Sequence, residues 1–169
     1  MAKETPSTHG EEPVFVVLPS GVAYPSETYA RAFLGLVRAG EELDRALDTD
    51  LRNAHGIGLR DYEILLHLAA FSRDRSLPMS TLTHQTPLSQ SRLSRLVAHL
   101  EGLGLVRRTD DSDDGRVVVV SLTGKGLRVL RQAQETHHRG LERRLFSRLS
   151  RDELAQLGEL TSRLLTGDR

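Results

Sequence analysis

The segment 88–102 carries a closely spaced set of side chains that could form hydrogen bonds with double-stranded nucleic acid: Ser89, Gln90, Ser91, Arg92 and Arg95. A glutamine amide pairs through two hydrogen bonds with adenine, and an arginine guanidinium does so with guanine. Serine hydroxyls near a helix N-terminus suit phosphate oxygens. An ordinary solvated helix face has the same composition, so the neighbouring elements must decide between the two interpretations.

Arg116, which directly follows an Asp-Gly pair, is a further candidate. An arginine at the tip of a hairpin can enter a narrow minor groove, where the negative potential is enhanced. Asp114 could orient this guanidinium or shield it away from DNA. The alternative is a simple salt bridge within a turn, worth under about 1 kcal/mol at an exposed site.

The segment 88–103 is expected to form a helix. Ser89 is the predicted N-cap, Gly102 and Gly104 end the helix, and one face carries an apolar stripe of Leu93, Leu96, Val97 and Leu100. A short helix over 80–85 precedes it and is closed by Pro87.

The hydrophobic period then changes to that of strands. The segments 105–109 and 117–122 are rich in β-branched residues and flank the acidic run 110–115, so they predict a β-hairpin. Two helices joined by a tight turn and followed by a hairpin can place one helix in the major groove and the hairpin tip in the minor groove. The order of elements therefore favours DNA binding over a solvated helix face.

The N-terminal third begins with prolines and glycines that prevent a helix over 1–25, where the apolar run 14–18 is either a docked strand or an arm laid on a partner subunit. Ser26 is the expected N-cap of a long amphipathic helix that ends near residue 56. A second helix over 60–72 follows, and then a loop that ends at Pro78.

At the other end of the chain, Thr123 is expected to cap a long helix that runs to about residue 149. Ser150 and Glu153 form a capping box that opens a last helix, whose leucines recur at helical spacing to residue 165.

Composition excludes several classes of function. The 169 residues include no Cys, which rules out disulfides, thiolate metal sites, cysteine nucleophiles and thiol redox sensing. The net charge is zero, yet 86–109 holds four arginines (Arg92, Arg95, Arg107 and Arg108) against the single Glu101. No apolar run is long enough to cross a bilayer and no signal peptide is apparent, so we expect a cytoplasmic protein.

The segments LSQSRLSRLVAHLEGLGLVRR and DDSDDGRVVVVSLTGKG closely resemble the MarR (multiple antibiotic resistance regulator) family. The family's recognition helix, Gly-Leu-Val strand, acidic wing, Asp-x-Arg and Leu-Thr-x-x-Gly occur in order, and the resemblance covers about 59–126. Arg60 and Asp61 stand where the family often has Thr or Ser, and Thr83 followed by His84 replaces its usual small-apolar step. The N-terminal extension of about 25 residues is longer than the core pattern requires, and the resemblance assigns it no role.

The resemblance implies an obligate homodimer with interlocking terminal helices, which binds a pseudo-palindromic DNA site and usually represses genes until a small ligand or oxidant releases it. The predicted fold is mainly α with a β-hairpin wing. The expected divisions are an N-terminal extension at 1–25, a dimerisation helix at 26–58, a winged helix-turn-helix domain at 59–122, and C-terminal dimerisation helices at 123–169.

A small-molecule effector pocket would lie between the winged domain and the dimerisation helices, with candidate lining residues Tyr29, Phe33, His55, Tyr62 and His67. The alternative is that these are ordinary core or boundary residues. Neighbouring side chains such as His137 and His138 diverge on a helix and chelate one ion poorly, although His55, His67 and His84 could be brought together by folding. We predict no metal and no other cofactor.

The sequence therefore predicts a DNA-binding transcriptional regulator, most simply a repressor, and not an enzyme, because it contains no phosphate loop, nucleophile elbow or zinc-protease motif. The rival hypothesis is a winged-helix module for protein–protein assembly. A DNA reader needs Arg92, Arg95 and Arg116, whereas an assembly module does not.

Overall fold

A computed structural model describes residues 12–110 and 117–166. The helices are α1 Glu27–His55, α2 Leu59–Ala70, α3 Met79–Gln85, α4 Gln90–Gly102, α5 Gly124–Leu141 and α6 Arg151–Thr166, and the strands are β1 Phe15–Val17, β2 Ala23–Pro25, β3 Ser76–Pro78, β4 Val106–Asp110 and β5 Val118–Leu122. The predicted mainly helical fold with a small β-hairpin is confirmed. The chain divides into two compact units, Met1–Asp44 and Arg45–Arg169.

The first unit contains a short antiparallel hairpin and the first half of α1. β1 pairs with β2 in the register Val16↔Tyr24, so the apolar run 14–18 does form a strand, with a partner that was not predicted. At the start of α1, the Thr28 N–H donates to the Glu12 carboxylate at 3.4 Å. The capping acceptor is therefore Glu12 and not the predicted Ser26 hydroxyl, although the Ser26 carbonyl accepts the first helical bond, from Ala30.

The second unit holds the hydrophobic core. Its fully buried side chains come from the end of α1, from α2, α3, α4 and α5, and from the central strand: Leu51, Ile64, Leu65, Leu68, Leu82, Leu93, Val97, Leu100, Val120 and Ala133. Three residues of the predicted α4 stripe are thus in the core, whereas Leu96 is only half-buried. Because one face of α4 is buried in the core, the opposite face of the helix is exposed to solvent.

The junction between α1 and α2 is held by two carboxylates. Gly56 has φ +71°, the left-handed conformation that ends a helix. Asp48 Oδ1 accepts from the Leu59 N–H at 2.8 Å, and Asp61 Oδ2 accepts from the Gly58 N–H at 2.9 Å. Asp61, one of the departures from the family pattern, therefore caps α2.

The wing is a three-stranded antiparallel sheet in the order β3-β5-β4. β4 and β5 form the predicted hairpin, with Val106 opposite Leu122 and Arg108 opposite Val120. A loop was expected up to Pro78, and this prediction was wrong for its last residues, because 76–78 form an edge strand that pairs with β5. Pro78 lacks an N–H donor and is tolerated at a sheet edge.

The C-terminal helices differ from the prediction in one place. Thr123 Oγ1 accepts from the Gly126 N–H at 2.9 Å, and Ser150 and Glu153 form the expected capping box. The prediction of a single helix to residue 149 is wrong, because α5 ends at Leu141 and a π-helical turn, Glu142–Phe146, follows it. Asp50 accepts hydrogen bonds from Arg144 at 2.6 Å and from Arg143 at 3.1 Å.

Over the described part of the chain, no helix is both long and apolar enough to span a membrane.

Candidate nucleic-acid interface

A helix-turn-helix presents α4 at the surface. α3 and α4 are joined by residues 86–89, and the Ser89 carbonyl accepts from the Leu93 N–H at 2.9 Å, which places Ser89 at the N-cap position. Its hydroxyl makes no capping bond to the first turn, contrary to the prediction, and lies 3.4 Å from Ser91 Oγ. The first-turn N–H groups of α4 are thus left without this side-chain acceptor, and such groups attract anions.

The predicted side chains of α4 belong to its N-cap and its first two turns, and all five are exposed: Ser89, Gln90, Ser91, Arg92 and Arg95. Ser91 and Arg95 lie on the helix side opposite the buried stripe, whereas Gln90 is three residues from the buried Leu93 and therefore lies beside that stripe. Within the described part of the chain, Arg95 Nε makes one long contact, 3.4 Å, with the Ser91 carbonyl. The five side chains combine two guanidinium groups with an amide and two hydroxyls, the donor and acceptor set that matches base edges and phosphates.

The other two predicted DNA contacts, Asp114 and Arg116, lie outside the described residues. The strands on either side of them are described: β4 reaches Asp110 and β5 starts at Val118.

A groove of about 460 Å³ runs between α3, α4 and the hairpin strands. Its lining is mixed polar and apolar: Met79, Ser80, Thr83, Gln90, Ser94, Arg108, Val117 and Val118. Of the predicted site residues that the structure describes, only Gln90 lines it. The groove could not be predicted from the sequence, because α3, α4 and the hairpin strands come together only in the tertiary fold.

Among the described residues of the groove lining, Arg108 contributes the one guanidinium, and Glu101 of α4 bonds to it. Its Nε and Nη2 lie 2.7 Å and 2.6 Å from Glu101 Oε2, and its backbone N–H donates to Glu101 Oε1 at 2.9 Å. These hydrogen bonds, above all the one from the Arg108 side chain, hold the pKa of Glu101 below its usual value. Sequence reasoning placed Arg108 in the basic cluster but did not find its partner.

The candidate effector residues do not all come together. Tyr62, only 2% exposed, stacks on His137 of α5 with ring centroids 4.7 Å apart, and His55 Nε2 lies 2.9 Å from Thr136 Oγ1. His67 instead bonds the Glu63 carbonyl. Burial raises the pKa of Tyr62, and burial together with the charge of His138 lowers that of His137.

Two further candidates belong to the first unit, where Tyr29 is half-buried and Phe33 is 61% exposed. Within residues 12–110 and 117–166, no group of three or more His, Cys, Asp or Glu side chains is arranged to hold a metal ion.

Comparisons with known proteins agree on one family. A family model described as "MarR family" matches residues 55–117. Sco3205 of Streptomyces coelicolor, a MarR family transcriptional regulator whose structure was solved in complex with DNA, is 30% identical, with a TM-score of 0.81 over 86% of this chain and 94% of its own. AbsC of the same organism, also a MarR family regulator, is 28% identical, with a TM-score of 0.78 over 84% and 95%.

Among curated proteins, the transcriptional repressor MprA of Escherichia coli is 30% identical over 113 residues, which are 67% of this chain and 63% of MprA.

Proposed function

Because the chain belongs to the MarR family of transcriptional regulators, we propose that it regulates genes by binding double-stranded DNA as a homodimer, with α4 in the major groove. The observation that carries the proposal is the set of five exposed polar side chains at the N-terminal end of α4, a helix that packs beside β4 and in which Ser89 makes no side-chain capping bond. This is a binding role that needs no catalytic group, and it would be performed in the cytoplasm, where the chromosome is.

Each of the five side chains at the N-terminal end of α4 has a role in this proposal. Gln90 pairs with adenine and Arg92 or Arg95 with guanine, because these side chains offer two parallel hydrogen bonds to those base edges. Ser89 and Ser91 contact phosphate oxygens at the helix N-terminus, where the helix dipole favours an anion.

The wing completes the proposed contact. Arg116 enters the adjacent minor groove, and Asp114 orients its guanidinium. Both residues belong to the segment that joins β4 to β5, and the resemblance to the family's Asp-x-Arg pattern supports these roles.

The homodimer is proposed from apolar surface that the chain leaves exposed. In the first unit, Phe33, Leu36 and Val37 follow a helical stripe of α1, and in the second unit Leu157, Leu160 and Leu164 do so on α6. Contiguous apolar patches on a protein that has to stay in solution favour a partner that covers them. We therefore assign dimerisation to 26–58 and 123–169, and a two-fold dimer would recognise a pseudo-palindromic site.

Repression relieved by a small molecule is the proposed mode of regulation. One relative, MprA, bears the name of a transcriptional repressor. Within the second unit, α5 contacts the end of α1 through Thr136 and His55, and it contacts α2 through the stacked rings of His137 and Tyr62. An effector that displaced the His137 ring from Tyr62 would change how the DNA-binding helices are held by α5.

The test is binding of the purified protein to a fluorescent duplex of the region upstream of its own gene. Arg92→Ala and Arg95→Ala should each weaken binding by about 1 to 3 kcal/mol. Arg73→Ala, which removes the same charge from an exposed loop after α2, is the matched control and should bind as the wild type does. A folded protein that binds no duplex would instead favour the assembly module.

A further inference from the structure

Arg108 lies on the inner face of the wing and not on its solvent face. Side chains alternate along a strand, so Arg108 of β4 shares a face with Val106, which is 2% exposed, and with its cross-strand neighbour Val120, which is fully buried. Arg107 lies on the opposite face, across from Ser121. At Arg108 the inner face leaves the core and becomes a wall of the groove beside α4.

The groove lining has the side-chain chemistry of a phosphate-binding site. Ser80 and Ser94 bring hydroxyls to its lining, and Gln90, from the first turn of α4, brings an amide. The hydroxyl of Thr83, which also lines the groove, donates to the Met79 carbonyl. Arg108 adds a guanidinium, whose planar fork matches phosphate oxygens. Hydroxyls, amides and arginines are the usual partners of the DNA backbone.

Glu101 sets the direction of that guanidinium. Both of its contacts with the Arg108 side chain run through Oε2 and engage Nε and Nη2, so the Glu101 contacts do not use Nη1. The third contact, from the Arg108 backbone N–H to Oε1, ties the strand itself to α4. A carboxylate placed this way pre-organises the arginine and joins the recognition helix to the wing.

We propose that Arg108 is a further DNA-binding residue, which contacts a backbone phosphate seated in the groove between α3, α4 and the hairpin strands, and that Glu101 is its positioning residue. The inference rests on the proposed function and extends it to two residues outside the predicted site. A phosphate contact carries no sequence information, so its removal weakens binding to all duplexes alike.

For substitution of Glu101, the proposal predicts a change in DNA affinity opposite to the change that charge alone would cause. Glu101→Gln removes a negative charge close to DNA, which by itself would tighten binding. If Glu101 holds Arg108 in place, the same substitution weakens binding, because a neutral amide forms weaker hydrogen bonds with a guanidinium than a carboxylate does.

The experiment measures fluorescence anisotropy of the upstream duplex and of an unrelated duplex from 50 to 300 mM salt. Arg108→Ala should weaken binding to both duplexes by about tenfold and lower the slope of log K against log salt by about 0.9 for each phosphate that the protein no longer neutralises. Glu101→Gln should weaken binding about threefold in the wild-type background and have no effect when Arg108 is already alanine, since contacting residues couple in a double-mutant cycle. Arg107→Ala is the matched control for charge, and thermal unfolding verifies that each variant is folded.

The outcomes separate this inference from the proposed function. If the wild type binds DNA but Arg108→Ala keeps its affinity and salt slope, or Glu101→Gln binds more tightly, the assignment of Arg108 and Glu101 is wrong while the regulator remains. If the folded wild type binds neither duplex at any salt concentration, the proposed function is wrong, and the proposed phosphate contact of Arg108 is wrong with it.

Discussion

Gly126 lies where the first turn of α5 crosses the chain that leads into β4, and alanine at this position should destabilise the protein. A Cβ there would lie 2.0 Å from the Leu105 carbonyl oxygen, 3.0 Å from its carbon and 2.8 Å from Leu122 Cδ1. The nearest group is backbone and cannot rotate away as a side chain would. Either α5 or the base of the wing must move.

The expected cost follows from the bonds at this crossing. Overpacking a well-packed site costs about 1–3 kcal/mol. The Leu105 carbonyl also accepts from the N–H and the hydroxyl of Thr123, both at 3.0 Å, and displacing it would weaken bonds worth about 1 kcal/mol each. A total of about 3 kcal/mol corresponds to a fall in Tm of roughly 6–12 °C for a chain of this size.

Thermal unfolding followed by circular dichroism at one fixed protein concentration measures this fall. Gly124→Ala is the matched control, because its Cβ would have Arg128 Nη1 at 3.9 Å as nearest neighbour and alanine is the better helix former. We expect Gly124→Ala to melt at or slightly above the wild-type temperature. If Gly126→Ala melts within about 2 °C of that control, the close approach of α5 to the wing is refuted.

Two further predictions concern α5 and α6. Burial and the charge of His138 lower the pKa of His137 below 6.5, so the unfolded chain binds a proton before the folded chain does as the pH falls; His137 therefore costs no stability above pH 6.5 and destabilises the protein below it. The urea midpoint should fall between pH 7.5 and pH 5.5, and this fall should be smaller in His137→Phe. An equal fall in the wild type and in His137→Phe would contradict this. Leu157→Asp should break the proposed dimer in size-exclusion chromatography with light scattering, whereas Gln156→Asp on another face of α6 should not. An intact Leu157→Asp dimer would show that α6 is not part of the interface.

Helix α4 and the hairpin could be predicted because local signals determine them. The spacing of Leu93, Val97 and Leu100 defines one buried helix face, and the switch to β-branched residues on both sides of an acidic run of sequence defines the two strands. The Thr123 and Ser150 caps are equally local, since each bonds a group three residues away.

The missed features depend on residues that are distant in sequence. β3 is three residues long, too short for a strand period to show, and exists because β5 offers a free edge. Glu12, which is 16 residues from Thr28, replaces Ser26 as capping acceptor. The Glu101–Arg108 contact requires β4 to return alongside α4, and the π-helical turn lies where Arg143 and Arg144 reach Asp50, more than 90 residues away along the chain.

The central claim is that a two-fold dimer of this chain reads DNA sequence through α4. Selection of bound duplexes from a random-sequence library by the purified protein tests it most directly, with light scattering on the same sample to establish the number of chains. We expect an enriched inverted repeat whose half-sites are centred about one helical turn, roughly 10 base pairs, apart, and Arg95→Ala should relax selection within each half-site. A folded dimer that enriches no sequence would contradict the account.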